Sequence, residues 1–324
     1  MIYSASSYSS EVQFDDAFHF VKKQVFGILL GIVFFVIASR FDYHRFYRLR
    51  YYILGLSVVL LVLVFVPGIG ISANGARRWL GFGGFNLQSS EVAKFGFVIF
   101  ASCYLSKNYE KTKTFKGILP ILLSGGLICL LVIIEPNMSV TMCIGMVMII
   151  MLFMGGMSFK HFLILAIPAL ALVVLLIVVE PYRLARLMAF IDPWANPKED
   201  GYQLIQSLYS LGAGGLFGVG LFNSRQKYLF LPFAESDFIF AIICEELGFV
   251  GAIIIILIYV AIIAIGIKIA IDASDRLGTY LASGITAVIA VQLLINIAVV
   301  TGVNIIYYII KLYLGNLSPK YFLF

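Results

Sequence analysis

"LPFAESDFIFAIICEELGFVGAIIIILIYVAIIAIGI", residues 231–267, is the stretch on which the fold turns. Asp237 opens an apolar run that continues to about residue 267, and Glu245 and Glu246 lie two turns inside it. Such a run either crosses a bilayer or fills the core of a large soluble domain, and composition decides between the two. Of 324 residues, 61% are hydrophobic and 12% charged, against about 25% charged in soluble domains. Mean hydropathy is +1.01. The chain reads as an all-α polytopic membrane protein.

Working outward, about 30 Å of hydrocarbon needs roughly 17–25 residues of helix. Eight stretches qualify, at about 20–39, 51–67, 88–106, 117–134, 138–156, 159–179, 238–267 and 278–303. Short polar loops separate them, apart from one long connection over about 180–237. No repeat or linker divides the chain, so residues 1–303 are taken as one transmembrane domain and 304–324 as a tail. The first twenty residues hold Glu11, Asp15 and Asp16 and lack an apolar core, so no cleavable signal peptide is expected. One set of alternate loops holds Arg40, Arg45, Arg48, Arg50, Lys107, Lys111, Lys113, Lys116, Lys160, Lys268 and Arg276, whereas the other set's short segments hold only Lys22, Lys23, Arg77 and Arg78. Basic loops stay in the cytoplasm, which turns the 180–237 loop and Asp237 outward. The net charge of +6 reflects this bias and gives no reason to invoke nucleic acid.

Ionisable groups within spans are costly and mark packing locks or substrate paths. Glu91 and Lys94 are three apart and share a helix face; they form either a structural ion pair or a site where Lys94 holds an anionic group. Glu245 and Glu246 lie roughly 12–14 Å along the helix from Asp237, too far for the paired carboxylates of a glycoside hydrolase. They read as structural, internally hydrogen-bonded residues. Asp237 is open to two readings, a helix cap shared with Ser236 or a reactive carboxylate. The loop before it carries Arg183, Arg186, Arg225 and Lys227, with Gly212, Gly214, Gly215, Gly218 and Gly220. Those glycines let backbone approach a ligand or a neighbouring segment closely. A long, cationic, glycine-rich loop ending in an aspartate suggests a site for an anionic substrate. Cys103, Cys129, Cys143 and Cys244 fall inside spans as packing residues, the three histidines are scattered, and no metal site is expected.

Six stretches in order carry a resemblance: "YSASS" (3–7), "NGARRWLGFGGFNLQSSEVAK" (74–94), "EPNMS" (135–139), "RLARLMAFIDPWANPKEDGYQLIQSLYSLGAGG" (183–215), "LPFAESDFIFAIICEELGFVG" (231–251) and "NIAVVTG" (296–302). Together they resemble the SEDS family (shape, elongation, division and sporulation), the FtsW, RodA and SpoVE type. The resemblance implies a ten-span inverting glycosyltransferase that polymerises lipid II, an undecaprenyl-pyrophosphate-linked disaccharide peptide, at the outer face of the bacterial plasma membrane. Implied partners are a class B penicillin-binding protein transpeptidase and other divisome or elongasome proteins. The family's essential aspartate falls on Asp237. A base for the acceptor hydroxyl and cations for the departing pyrophosphate suffice for this chemistry. The expected substrate contacts are Arg77, Arg78, Lys94, Arg183, Arg186, Gln203, Ser207 and Lys227. A divalent cation, Mg or Mn, could assist the leaving group, although the sequence offers no dedicated cage.

The chain departs from the family at Ser89, Asn137 and Phe233, where proline, aspartate and glutamate are usual. Both ends read as cut: the expected first and last spans are missing, and after Val303 a tail replaces the family's closing motif. The tail is expected at the outer interface, leaving Gln292 and Asn296, four apart on one helix face, without cavity neighbours. Two further functions stand beside the polymerase: a lipid II flippase, favoured by Glu91 and Lys94 inside a span, and a truncated, inactive or scaffolding relic.

Overall fold

The computed structural model describes residues 1–302 except 74, 75, 83, 84, 180 and 200. The expectations about the 304–324 tail lie outside the described residues. Helices occupy the chain in this order: α1 Ile2–Phe14, α2 His19–Ser39, α3 Phe46–Leu63, α4 Ser89–Asn108, α5 Phe115–Ile134, α6 Met138–Met154, α7 Phe159–Val179, α8 Pro181–Ile191, α9 Tyr202–Gly214, α10 Ile239–Ile271 and α11 Arg276–Thr301. Every apolar stretch marked in the sequence is a helix. Among the described residues, five stretches are long and apolar enough to cross a membrane: His19–Ser39, Tyr43–Leu63, Phe115–Ile134, Ile239–Ile271 and Arg276–Thr301. α6 is shorter, at 17 residues, and α4 carries Glu91, Lys94 and Lys107. The protein is a multi-pass helical membrane protein.

Two features of the fold lie beyond the hydropathy reading. Between α3 and α4 the chain forms three antiparallel strands, β1 Gly70–Ala73, β2 Ala76–Phe82 and β3 Phe85–Gln88, in the order β1-β2-β3. Trp79 pairs with Gln88 and Leu80 with Leu87. The dipeptides Asn74-Gly75 and Gly83-Gly84 between the strands are strong hairpin signals. The long loop, in turn, contains the amphipathic helix α8 and helix α9.

Contacts divide the chain into two compact units, Met1–Phe41 with Ala171–Tyr259 and Asn296–Phe324, and Asp42–Leu170 with Val260–Ile295. In the second unit α4 is the core helix. Phe97, Val98, Ala101 and Leu105 are wholly buried beside Ile118, Ile121, Ile144, Val147 and Val288. A Cβ on Gly96 would sit 2.1 Å from Ser57 Oγ, so α3 and α4 touch because that position has no side chain. α5 and α6 each begin on a capping side chain, Thr114 accepting from Gly117 N and Asn137 from Val140 N. In the first unit the core is smaller: Ala5, Leu231, Ala234, Phe238, Ala241, Ile242 and Val300.

Candidate active site

Within the first unit, Asp237 is exposed in the turn that precedes α10. Its position follows from an alternation of anchors: Leu231, Ala234 and Phe238 are buried at 2%, 3% and 5% exposure, while Ser236 and Asp237 face out. The Phe233 carbonyl accepts from both Ser236 N (3.1 Å) and Phe238 N (3.3 Å), and Ala241 N→Phe238 O (2.9 Å) starts the helix. The positive end of the helix dipole favours a negative charge at this point.

Gln203 and Ser207, expected as substrate contacts, donate to backbone carbonyls. Gln203 Nε2 reaches Pro232 O at 3.2 Å and Ser207 Oγ reaches Val300 O at 2.7 Å. Gln203 thereby ties α9 to the Asp237 turn, and Ser207 ties it to the end of α11. Most buried polar side chains are hydrogen-bonded, and these are the acceptors that packing supplies to Gln203 and Ser207.

Lys227, expected at the outer surface, is instead 5% exposed. Its ammonium donates to Phe222 O (2.6 Å), Glu246 Oε1 (3.3 Å) and Ser4 Oγ (3.4 Å). Ser4 Oγ donates to Glu246 Oε1 at 2.5 Å. The neighbouring Glu245 accepts from Ser224 Oγ (2.5 Å) and Arg225 N (2.9 Å). Lys227 turns inward for a simple reason: a buried carboxylate is stabilised by a cation within reach, and the loop brings Lys227 to within 3.3 Å of Glu246. A cavity of about 370 Å³ opens on the Glu245 side, lined by Ala213, Val219, Asn223, Arg225 and Glu245; Asp237 is not part of its lining.

The loop glycines serve a neighbouring segment. α10 is interrupted at Gly248 (φ 67°, ψ −166°), and the turn segment after α9 takes up the broken hydrogen bonds. Val219 N and Gly220 N donate to the carbonyls of Glu245 (2.9 Å) and Glu246 (3.1 Å), while Phe249 N and Val250 N donate to Gly215 O and Leu216 O. Non-helical backbone among spans persists only where such partners exist.

In the second unit, Lys94 is 1% exposed on its side chain and pairs with Glu91 at 2.9 Å, the carboxylate being 40% exposed. Its other contact is Gln292 Oε1 at 2.9 Å, so Gln292 keeps a polar partner. Arg78 donates through Nε to Glu135 O (3.1 Å) and through Nη2 to Pro136 O, fastening β2 to the α5–α6 connection. Arg77, beside it, is exposed. Glu135 is fully buried; Ser89 Oγ donates to its Oε1 at 3.0 Å, while its Oε2 has no hydrogen-bond partner. Burial pushes this carboxyl up to about 7, against the opposing pull of Ser89 and Arg78. Glu135, Ser4 and Ser224 were not singled out as site residues in the sequence. Glu135 and Ser4 each had a signal there, their places in the "EPNMS" and "YSASS" stretches; Ser224 had none. Arg183 and Arg186 lie one turn apart on α8; their side chains lie outside the described residues.

Comparison with known proteins adds a consistent set of relatives. The family model described as "Cell cycle protein", of the FtsW, RodA and SpoVE type, matches residues 1–305. The chain is 38% identical over 304 residues to stage V sporulation protein E of Bacillus subtilis (strain 168), covering 93% of this chain and 83% of that one. It is 39% identical over 303 residues to the probable peptidoglycan glycosyltransferase FtsW of Trichlorobacter lovleyi, covering 93% and 80%. Among solved structures, a peptidoglycan synthase complex that coordinates polymerization and crosslinking matches with TM-score 0.71 and 26% identity, over 86% of this chain and 78% of that chain. The rod shape determining protein RodA of Thermus thermophilus shares the fold, with TM-score 0.63 and 21% identity over 93% and 82%.

Proposed function

The chain belongs to the FtsW, RodA and SpoVE family, and on that premise we propose that it polymerises lipid II into glycan strands at the outer face of the bacterial plasma membrane. The observation that carries the reading is Asp237, an exposed carboxylate held by buried neighbours at the mouth of α10. In this role Asp237 accepts the proton of the acceptor sugar hydroxyl as it attacks the anomeric carbon, with inversion, and undecaprenyl pyrophosphate departs. Departure needs cations and no proton. Arg183 and Arg186, in the unit that holds Asp237, are the cations proposed to contact pyrophosphate. Lys94 and Arg78 are held by Glu91, Gln292 and backbone carbonyls, and their part is proposed to be that of packing. A divalent cation, Mg or Mn, is proposed to take its ligands from the substrate's phosphates and to assist the leaving group there.

The proposed orientation places Asp237 outside, which the excess of basic residues in the opposite set of loops supports. The proposed partner is a class B transpeptidase that crosslinks the new strand, within the division, elongation or sporulation machinery. The test is strand formation from lipid II by purified protein, with and without that partner, read on a gel. Strands from the wild type support the reading, and their absence under both conditions overturns it.

A further inference from the structure

Resting on the reading of Asp237 as the base, we propose that Lys227 is a positioning residue: it holds the 221–238 segment, and so Asp237, through its ion pair with Glu246. The segment is conformationally unfavourable by itself. Phe222 (φ 66°), Leu229 (φ 66°) and Phe233 (φ 57°) all occupy the left-handed region, which a side chain's Cβ disfavours. Such residues persist only where the surroundings over-determine them.

Lys227 supplies that determination at one end. Its ammonium has three donors, and three acceptors meet them: the carbonyl of the strained Phe222, Ser4 of α1 and Glu246 of α10. No N–H is left for a pyrophosphate, and withdrawing the ammonium would strand the carboxylate of Glu246, which is 1% exposed. From this anchor the chain runs through Leu231, whose amide donates to Gln226 O at 3.0 Å. It then passes Pro232, held by Gln203, and the buried Ala234, which packs in the core with Ala5 and Val300. Asp237 is the exposed end of that chain of fixed points.

The experiment uses the full chain as wild type, Lys227→Met, Glu246→Gln and the double variant. Lipid II turnover is measured beside hydrogen exchange of residues 221–238. If Lys227 acts through Glu246, each single variant leaves one buried charge unpaired. Each should then lose about tenfold or more in kcat with KM within about threefold, and exchange in 221–238 should quicken. The double variant removes both charges and should recover to within about threefold of wild type in rate and exchange. A raised KM for Lys227→Met that the double variant does not relieve would overturn the proposal and return Lys227 to substrate binding. Unchanged exchange in Glu246→Gln would overturn it equally. Should the wild type form no strands, the polymerase reading fails separately. Exchange in the single and double variants then decides the anchor alone.

Discussion

The backbone amide of Gly220 meets the carbonyl of Glu246 at 3.1 Å, two residues before Gly248 breaks α10. A loop segment thus completes the hydrogen bonding of a membrane helix. The approach leaves no room for side chains: a Cβ on Gly218 would lie 2.1 Å from Glu246 O, and one on Gly248 2.3 Å from Gly218 N. Both glycines also have positive φ. Gly218→Ala and Gly248→Ala should each destabilise the protein by roughly 2 kcal/mol or more. Thermal unfolding in detergent checks this; unfolding temperatures within a degree or so of wild type would mean the two segments part easily.

Asp237→Asn keeps the size of the side chain and much of its capping ability, but an amide cannot take the acceptor's proton. Glycan polymerisation should fall by about 100-fold or more, with expression and lipid II binding retained. Near-normal strands on the gel would leave Asp237 a plain helix cap.

Arg183 and Arg186 are the cations to test for pyrophosphate contact. Replacing each with Gln should weaken lipid II binding or turnover by roughly 1–3 kcal/mol in kcat/KM without changing thermal unfolding. Unchanged kinetics in both would assign these charges to solubility or partner docking.

Glu91 and Lys94 should respond unequally to neutralisation. Glu91→Gln leaves a buried ammonium with Gln292 as its remaining partner. Lys94→Met leaves a carboxylate that is already 40% exposed. The first should therefore cost about 1–3 kcal/mol more than the second, a difference read as a gap in unfolding temperature. The reverse order would contradict the packing role given to the pair.

Glu135 sets a pH dependence. Its folded pKa, about 7, stands above its ordinary 4.5, so the folded state holds the proton more tightly. The stability it contributes is complete below about pH 4.5 and is lost as pH rises through about 7. Unfolding temperature should fall over that window, and Glu135→Gln should flatten the curve. Asp16 and Glu110, held low by hydrogen bonds from Lys22 and Lys113, act in a lower window and with the opposite sign. A wild-type curve that is flat between about pH 5 and 7.5 would refute the assignment.

What the sequence determined by itself was whatever depends on local composition. Partition between water and hydrocarbon is a property of each stretch, so the eight apolar runs became α2 to α7, α10 and α11 with ends shifted by a few residues. Asp237 was legible too, as a carboxylate between a cationic loop and an apolar helix, and so were Glu245 and Glu246 as acids out of place. Their partners were not. Ser4 and Glu246 are 242 residues apart in sequence and 2.5 Å apart in space; Lys227 turned inward to the same carboxylate; Gln292 waited 198 residues away for Lys94. Only the tertiary structure could decide these, because a buried charge takes whichever partner packing brings within reach, and that choice leaves no mark on the residues beside it.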